Sequence, residues 1–94
     1  MNTDPNVSSA ASLIAAAIQA LKKGDRRAAR RLAEQAAALA PQTEQPWLIL
    51  AYLASPTAAN YYLDRALQVN PASQQALDGK EWLKKQSLPA NPPP

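Results

Sequence analysis

Apolar and small residues fall along the chain in blocks separated by short polar or proline-containing breaks. The first block, AASLIAAAIQALKK, is rich in alanine and leucine, so it predicts a helix with Ser8 or Ser9 as its N-cap. Gly24 ends this helix as a C-terminal cap, Asp25 at once caps the next, DRRAARRLAEQAAALA, and Pro41 stops it. So tight a link requires the two helices to lie antiparallel. In the third block, Trp47 to Ala54, the Tyr52 hydroxyl is the only polar side-chain group, and Pro46 suits the first turn of a helix. Ser55 and Pro56 open a fourth helix that ends at Asn70-Pro71. Ser73 caps a fifth, QQALDGKEWLKK, which Gly79 weakens. Residues 1–8 read as disordered and residues 87–94 as a proline-rich spacer, beyond which the native chain is expected to continue.

The run WLILAYL fits a buried strand as well as a helix by periodicity alone. An internal repeat decides for the helix. AARRLAEQAAALAP, starting at 28, aligns without gaps on AANYYLDRALQVNP, starting at 58, an offset of 30 residues. Both alanine pairs coincide, as do Ala36 with Ala66 and Pro41 with Pro71, and Glu34 falls on Asp64. A repeat of that length in a helical chain predicts a solenoid of helix pairs.

On these residues the chain resembles the tetratricopeptide repeat family, whose unit follows roughly W-x2-L-G-x2-Y, then A-x3-F, then P. Trp47, Leu50 and Ala51 match the opening, with alanine in place of glycine, and Ala59, Leu63, Ala66 and Pro71 match the rest. Leu13, Ala16, Ala17, Ala20, Ala29, Ala33, Ala36 and Pro41 are the counterparts in the first unit, and Gly24-Asp25 is like the family's turn dipeptide. The second unit lacks four residues between its helices, about one helical turn, so each helix keeps its facing side. The fifth helix matches poorly, with Lys80, Glu81 and Lys84 where apolar or small residues belong, and reads as a solvating cap. The resemblance covers residues 9–86. It implies an all-α fold: a short solenoid of two antiparallel helix hairpins plus a C-terminal capping helix.

Composition narrows the function. The 94 residues make one small domain with no cysteine, no histidine and only two glycines. That excludes disulfides, thiolate metal sites, Ser-His or Cys-His catalysis and a glycine-rich phosphate loop. The carboxylates are scattered, so no enzyme and no cofactor is expected. The N-terminus lacks a basic stretch before an apolar run, so no signal peptide is expected, and no apolar run reaches the roughly 20 residues a membrane span needs; the cytoplasm is the default expectation.

The resemblance implies a protein-interaction module that holds a peptide along the inner face of the first helix of each unit. Mapped onto this chain, that face carries Ala11, Ile14, Ile18 and Leu21, then Gln45, Leu48, Ile49 and Tyr52, then Gln75, Asp78 and Trp82 on the cap. Members that clamp a peptide carboxylate use Lys, Arg and Asn there, so the Ile, Leu and Tyr found here imply an apolar helix or extended segment as partner. Three other readings stay open. These residues can be core alone; in particular, Trp82 is expected to close the core against the fourth helix. The first helix, apolar nearly all round, can pair with a second copy to make an assembly subunit. Lastly, the net charge of +3 is concentrated in KKGDRRAARR, where Arg27, Arg30 and Arg31 share a face. That face can dock on an acidic partner, a nucleic acid or, peripherally, an anionic membrane. The competing view is a solvated surface on which Arg30 and Arg31 pair with Glu34. No aromatic interleaves with the arginines, which argues against nucleic acid.

Overall fold

The computed structural model describes residues 5–87, and within them the side chains of residues 9–85. Those residues form five α-helices: α1 Pro5–Lys22, α2 Arg26–Leu39, α3 Glu44–Leu53, α4 Pro56–Val69 and α5 Gln74–Ser87. Among the described residues there is no strand, so the run from Trp47 is helical. The helix over α1 begins earlier than Ser8. Pro5 occupies the opening position, where its fixed φ suits a helix and its missing N–H costs nothing. Ser8 and Ser9, the caps expected from sequence, therefore lie inside the helix rather than at its start. Residues 1–4 and 88–94 lie outside the described residues.

The breaks between helices are made by local chemistry. Gly24 adopts φ +80°, a backbone region open to glycine without penalty. The Asp25 side chain accepts a 3.0 Å hydrogen bond from the Ala28 backbone N–H, a cap that typically stabilises a helix by about 1 kcal/mol. Past the second helix, Ala40 N–H donates to the Ala36 carbonyl at 2.9 Å and Thr43 N–H to the Ala40 carbonyl at 3.0 Å. Past the fourth, Asn70 N–H donates to the Ala66 carbonyl at 2.8 Å and Ser73 N–H to the Asn70 carbonyl at 3.0 Å. The same turn thus recurs at the offset of the sequence repeat.

Each helix packs chiefly on its neighbours in the chain, and α1 also touches α3. Long-range contacts fix the directions. Arg30, early in α2, reaches the carbonyl of Leu53 at the end of α3, and Asn70, after α4, reaches Glu44 at the start of α3. Successive helices are therefore antiparallel, and α1, α3 and α5 run the same way. The α1–α2 contact is the densest and is built from alanine: Ala17, Ala29, Ala33 and Ala36 have no exposed surface. Such small side chains let the helix backbones come close but bury little apolar area. The hydrophobic term falls instead on Ile14, Trp47, Leu50, Leu53 and Leu63, at about 1.5–3 kcal/mol each. Between α4 and α5 the close approach is made by Gly79. A Cβ there would stand 3.0 Å from both methyls of Leu63.

Candidate binding groove

Direct packing between α3 and α5 is slight at most, because α4 separates them. The gap is a groove of about 680 Å³ with Ala59 and Leu63 of α4 as its floor. Gln45, Leu48, Ile49 and Tyr52 of α3 form one wall, and Gln75, Gly79, Trp82 and Leu83 of α5 the other. Ile18 and Leu21, in the last turns of α1, extend the first wall. Among the described residues, no charged side chain lines it.

The repeat explains the pairing across the groove. Gln45 faces Gln75, Ile49 faces Gly79, and Tyr52 faces Trp82, each pair separated by the repeat offset and each at the same level of its helix. Glycine in place of isoleucine at the sixth residue of α5 lowers that wall and leaves the floor open. Tyr52 is 69% exposed and Trp82 58%, with Ile18 at 37% in the corresponding place on α1. Large apolar side chains this exposed, gathered on one concave face, are the feature of the surface that packing within the chain does not account for.

Eight of the eleven groove residues expected from sequence, Ile18, Leu21, Gln45, Leu48, Ile49, Tyr52, Gln75 and Trp82, come together here. Ala11 and Asp78 do not, and neither does Ile14. It is buried in line with Ala10 and Ala17, on the stripe of α1 that faces the core, whereas Ile18 lies at that stripe's edge. Trp82 does not close the core either; Leu83 does, at 8% exposure. One residue along a helix is a rotation of about 100°, enough to exchange inside for outside. Sequence reading put Arg26 in the basic run and not beside the groove, yet its guanidinium sits 5.8 Å from the Tyr52 ring centroid and holds that ring at the rim. A positive charge opening α2, one turn from the end of α3, was the available signal.

The arginine face is divided. Arg30 stays exposed but is anchored, donating from Nη2 to the Leu53 carbonyl at 3.0 Å, where its charge meets the negative end of α3. The pairs of Arg30 and Arg31 with Glu34 are not formed; among the described residues the one ion pair is Lys80 with Asp64, at 2.6 Å. Lys80 also donates to the Asn60 side-chain oxygen Oδ1 at 2.6 Å, so it ties α5 to α4 as well as facing solvent. Arg27 and Arg31 remain exposed. On α1, the exposed side chains besides Ile18 are Ser9, Ala11, Ser12, Ala15, Ala16, Gln19 and Lys22, so away from the groove its exposed surface is alanine and polar groups rather than large apolar ones. Tyr61 is exposed and Tyr62 half-buried against Trp47, ring centroids 6.3 Å apart.

At the far end of the groove a polar cluster joins three helices. Asn70 Nδ2 donates to Glu44 Oε1 at 2.8 Å, and the buried Ser73 hydroxyl also donates to Glu44 while Ser73 Oγ accepts from the Ala76 N–H at 3.2 Å. The Ser73 hydroxyl, and after it the Asn70 amide, hold the Glu44 carboxyl below the usual carboxylate range. A depressed folded-state pKa stabilises the fold above the unfolded value near 4.5, and that contribution is lost as pH falls through the folded pKa. Glu44→Gln is therefore expected to narrow the drop in thermal midpoint between pH 7 and pH 3. An unchanged drop shows that Glu44 has no part in the acid sensitivity.

No protein-family model, no curated protein and no solved structure matches the chain. No helix among the described residues is long and apolar enough to cross a membrane.

Proposed function

We propose that the chain is a non-catalytic interaction module, a tetratricopeptide-like solenoid of two hairpins and a cap helix, that holds a segment of another protein in the α1–α3–α5 groove. The observation that carries this reading is the alignment of Ile18, Tyr52 and Trp82, exposed and at corresponding positions, along an uncharged concave surface. Tyrosine, tryptophan and arginine dominate binding energy when a partner covers them, and Arg26 beside Tyr52 completes that set. The nearest-neighbour packing and the recurring turn support the solenoid.

Peptides selected for binding from a displayed library test the reading. Tyr52→Asp together with Trp82→Asp is expected to lose them at least tenfold, while the melting midpoint changes little because both side chains are mostly exposed. Arg27→Glu with Arg31→Glu is expected to leave binding intact. The reverse pattern sinks the groove and favours the arginine face.

A further inference from the structure

We infer that the segment held in the groove is an extended apolar stretch of another protein with acidic side chains at one end, seated so that those carboxylates lie at the Tyr52–Trp82 end. This rests on the groove being a binding site and names the chemistry of its ligand. Among the described residues the lining itself is uncharged, but the charges on its rim are sorted by end. The helices α1, α3 and α5 run the same way, so their last turns gather at one end beside the first turn of α2. The exposed cations Lys22, Arg26 and Lys85 border the groove there. Lys22 lies one turn beyond Ile18 on the same face of α1, and Lys85 lies three residues beyond Trp82 on α5. Arg26 stands 5.8 Å from the Tyr52 ring centroid. Carboxylates sit toward the other end. Glu44 opens α3, about 12 Å before Tyr52 along the helix axis, and Asp78 precedes Lys85 by about 10 Å on α5. Two acidic groups at the basic end do not cancel it. Asp25 is engaged by the Ala28 N–H at 3.0 Å, and Glu81 stands about 100° round α5 from Trp82, on the side away from Leu83.

This order of charge sets the polarity and length of the ligand. An acidic side chain is attracted to Lys22, Arg26 and Lys85 and repelled by Glu44 and Asp78, so the segment lies one way round. An extended chain rises about 3.3 Å per residue and covers the distance from Tyr52 to Glu44 in about four residues, which is the length of the apolar stretch. Gln45 and Gln75, both exposed on facing walls, favour the extended form. Their carboxamides offer donors and acceptors to a main chain without internal hydrogen bonds, which a helix does not need. A second copy of the chain is a poorer occupant, since each copy carries a net charge of +3 and association brings like charges together.

Three labelled peptides that differ only in their first two residues, DDLIVLS, SSLIVLS and KKLIVLS, test this by fluorescence anisotropy with the full chain. At low salt DDLIVLS is expected to bind about tenfold more tightly than SSLIVLS, because each exposed charge pair is weak and several act together, and KKLIVLS is expected to bind least well. In about 1 M salt, where charges are screened within about 3 Å, the three should converge. Lys22→Glu with Lys85→Glu is expected to reverse the order of DDLIVLS and KKLIVLS. The ratio within each variant is the readout, so any change common to all three peptides cancels. Equal affinities in the native chain overturn the acidic preference, and if Tyr52→Asp with Trp82→Asp then loses all three, the groove keeps its function without it. An acidic preference that survives the lysine reversal but is lost with Arg27→Glu and Arg31→Glu also overturns the proposal, because it places the carboxylates on the arginine face. So does a dimer in sedimentation equilibrium that Tyr52→Asp with Trp82→Asp abolishes, since a second copy then fills the groove. Failure of all three peptides to bind overturns it as well, and the library selection then decides the groove by itself.

Discussion

Trp47→Ala is expected to lower unfolding stability by about 3–5 kcal/mol, which for a domain of this size approaches the whole margin. The ring is 8% exposed and fills the space between α3 and α4, so truncation removes its burial and leaves a cavity that the alanine-rich neighbours cannot close. Three further contacts go with it. The indole N–H donates to the Pro41 carbonyl at 3.0 Å, fixing the turn that enters α3. The Tyr62 ring stacks at 6.3 Å, and the Arg65 guanidinium lies 4.9 Å from the ring centroid, drawing a charge from α4 over the indole. Trp47→Phe keeps most of the burial and loses the hydrogen bond. It is expected to cost about 1 kcal/mol, since exposed Pro41 can turn its carbonyl to water. Urea unfolding followed by circular dichroism separates the two. A Phe variant as unstable as the Ala variant shows that the hydrogen bond, not the packing, governs this site.

Leu63→Ala is expected to cost about 2–5 kcal/mol, since Leu63 is 5% exposed and is both core and groove floor. Its partner makes the effect diagnostic. In the native chain Gly79→Ala brings its new methyl to 3.0 Å from the Leu63 methyls, so the gain of about 0.5–1 kcal/mol in helix propensity is offset by crowding. With Leu63 already cut back to alanine, the crowding is gone. Gly79→Ala should then recover that gain in full. A double-mutant cycle by urea unfolding reads the difference directly. Equal effects of Gly79→Ala in both backgrounds would falsify the claim that Leu63 and Gly79 set the α4–α5 distance.

Much of this fold was legible in local chemistry. Gly24-Asp25, Pro41, Ser55-Pro56 and Asn70-Pro71 mark helix ends because the residues that stop and start a helix act within one turn of where they stand. The start of α1 was misplaced because Pro5 signals both a break and an opening, and only the backbone says which. The repeat aligned the helices with each other, so the tertiary partners of α2 and α4 came with the same offset.

What the sequence determined by itself was therefore the number and order of the helices, their ends apart from the start of α1, and the helix faces that carry apolar residues. The tertiary structure alone decided which apolar residues stay uncovered. Ile14 and Ile18 are alike in type and one turn apart, yet one is core and the other groove wall, because the neighbouring helices end where they do. Trp82 and Leu83 are adjacent, and the approach of α5 on Gly79 chooses Leu83 for the interior. Arg30 is tied to α3 because the end of that helix passes within its reach. Helix formation depends on neighbours along the chain; burial depends on neighbours across space, and those exist only once the helices have packed.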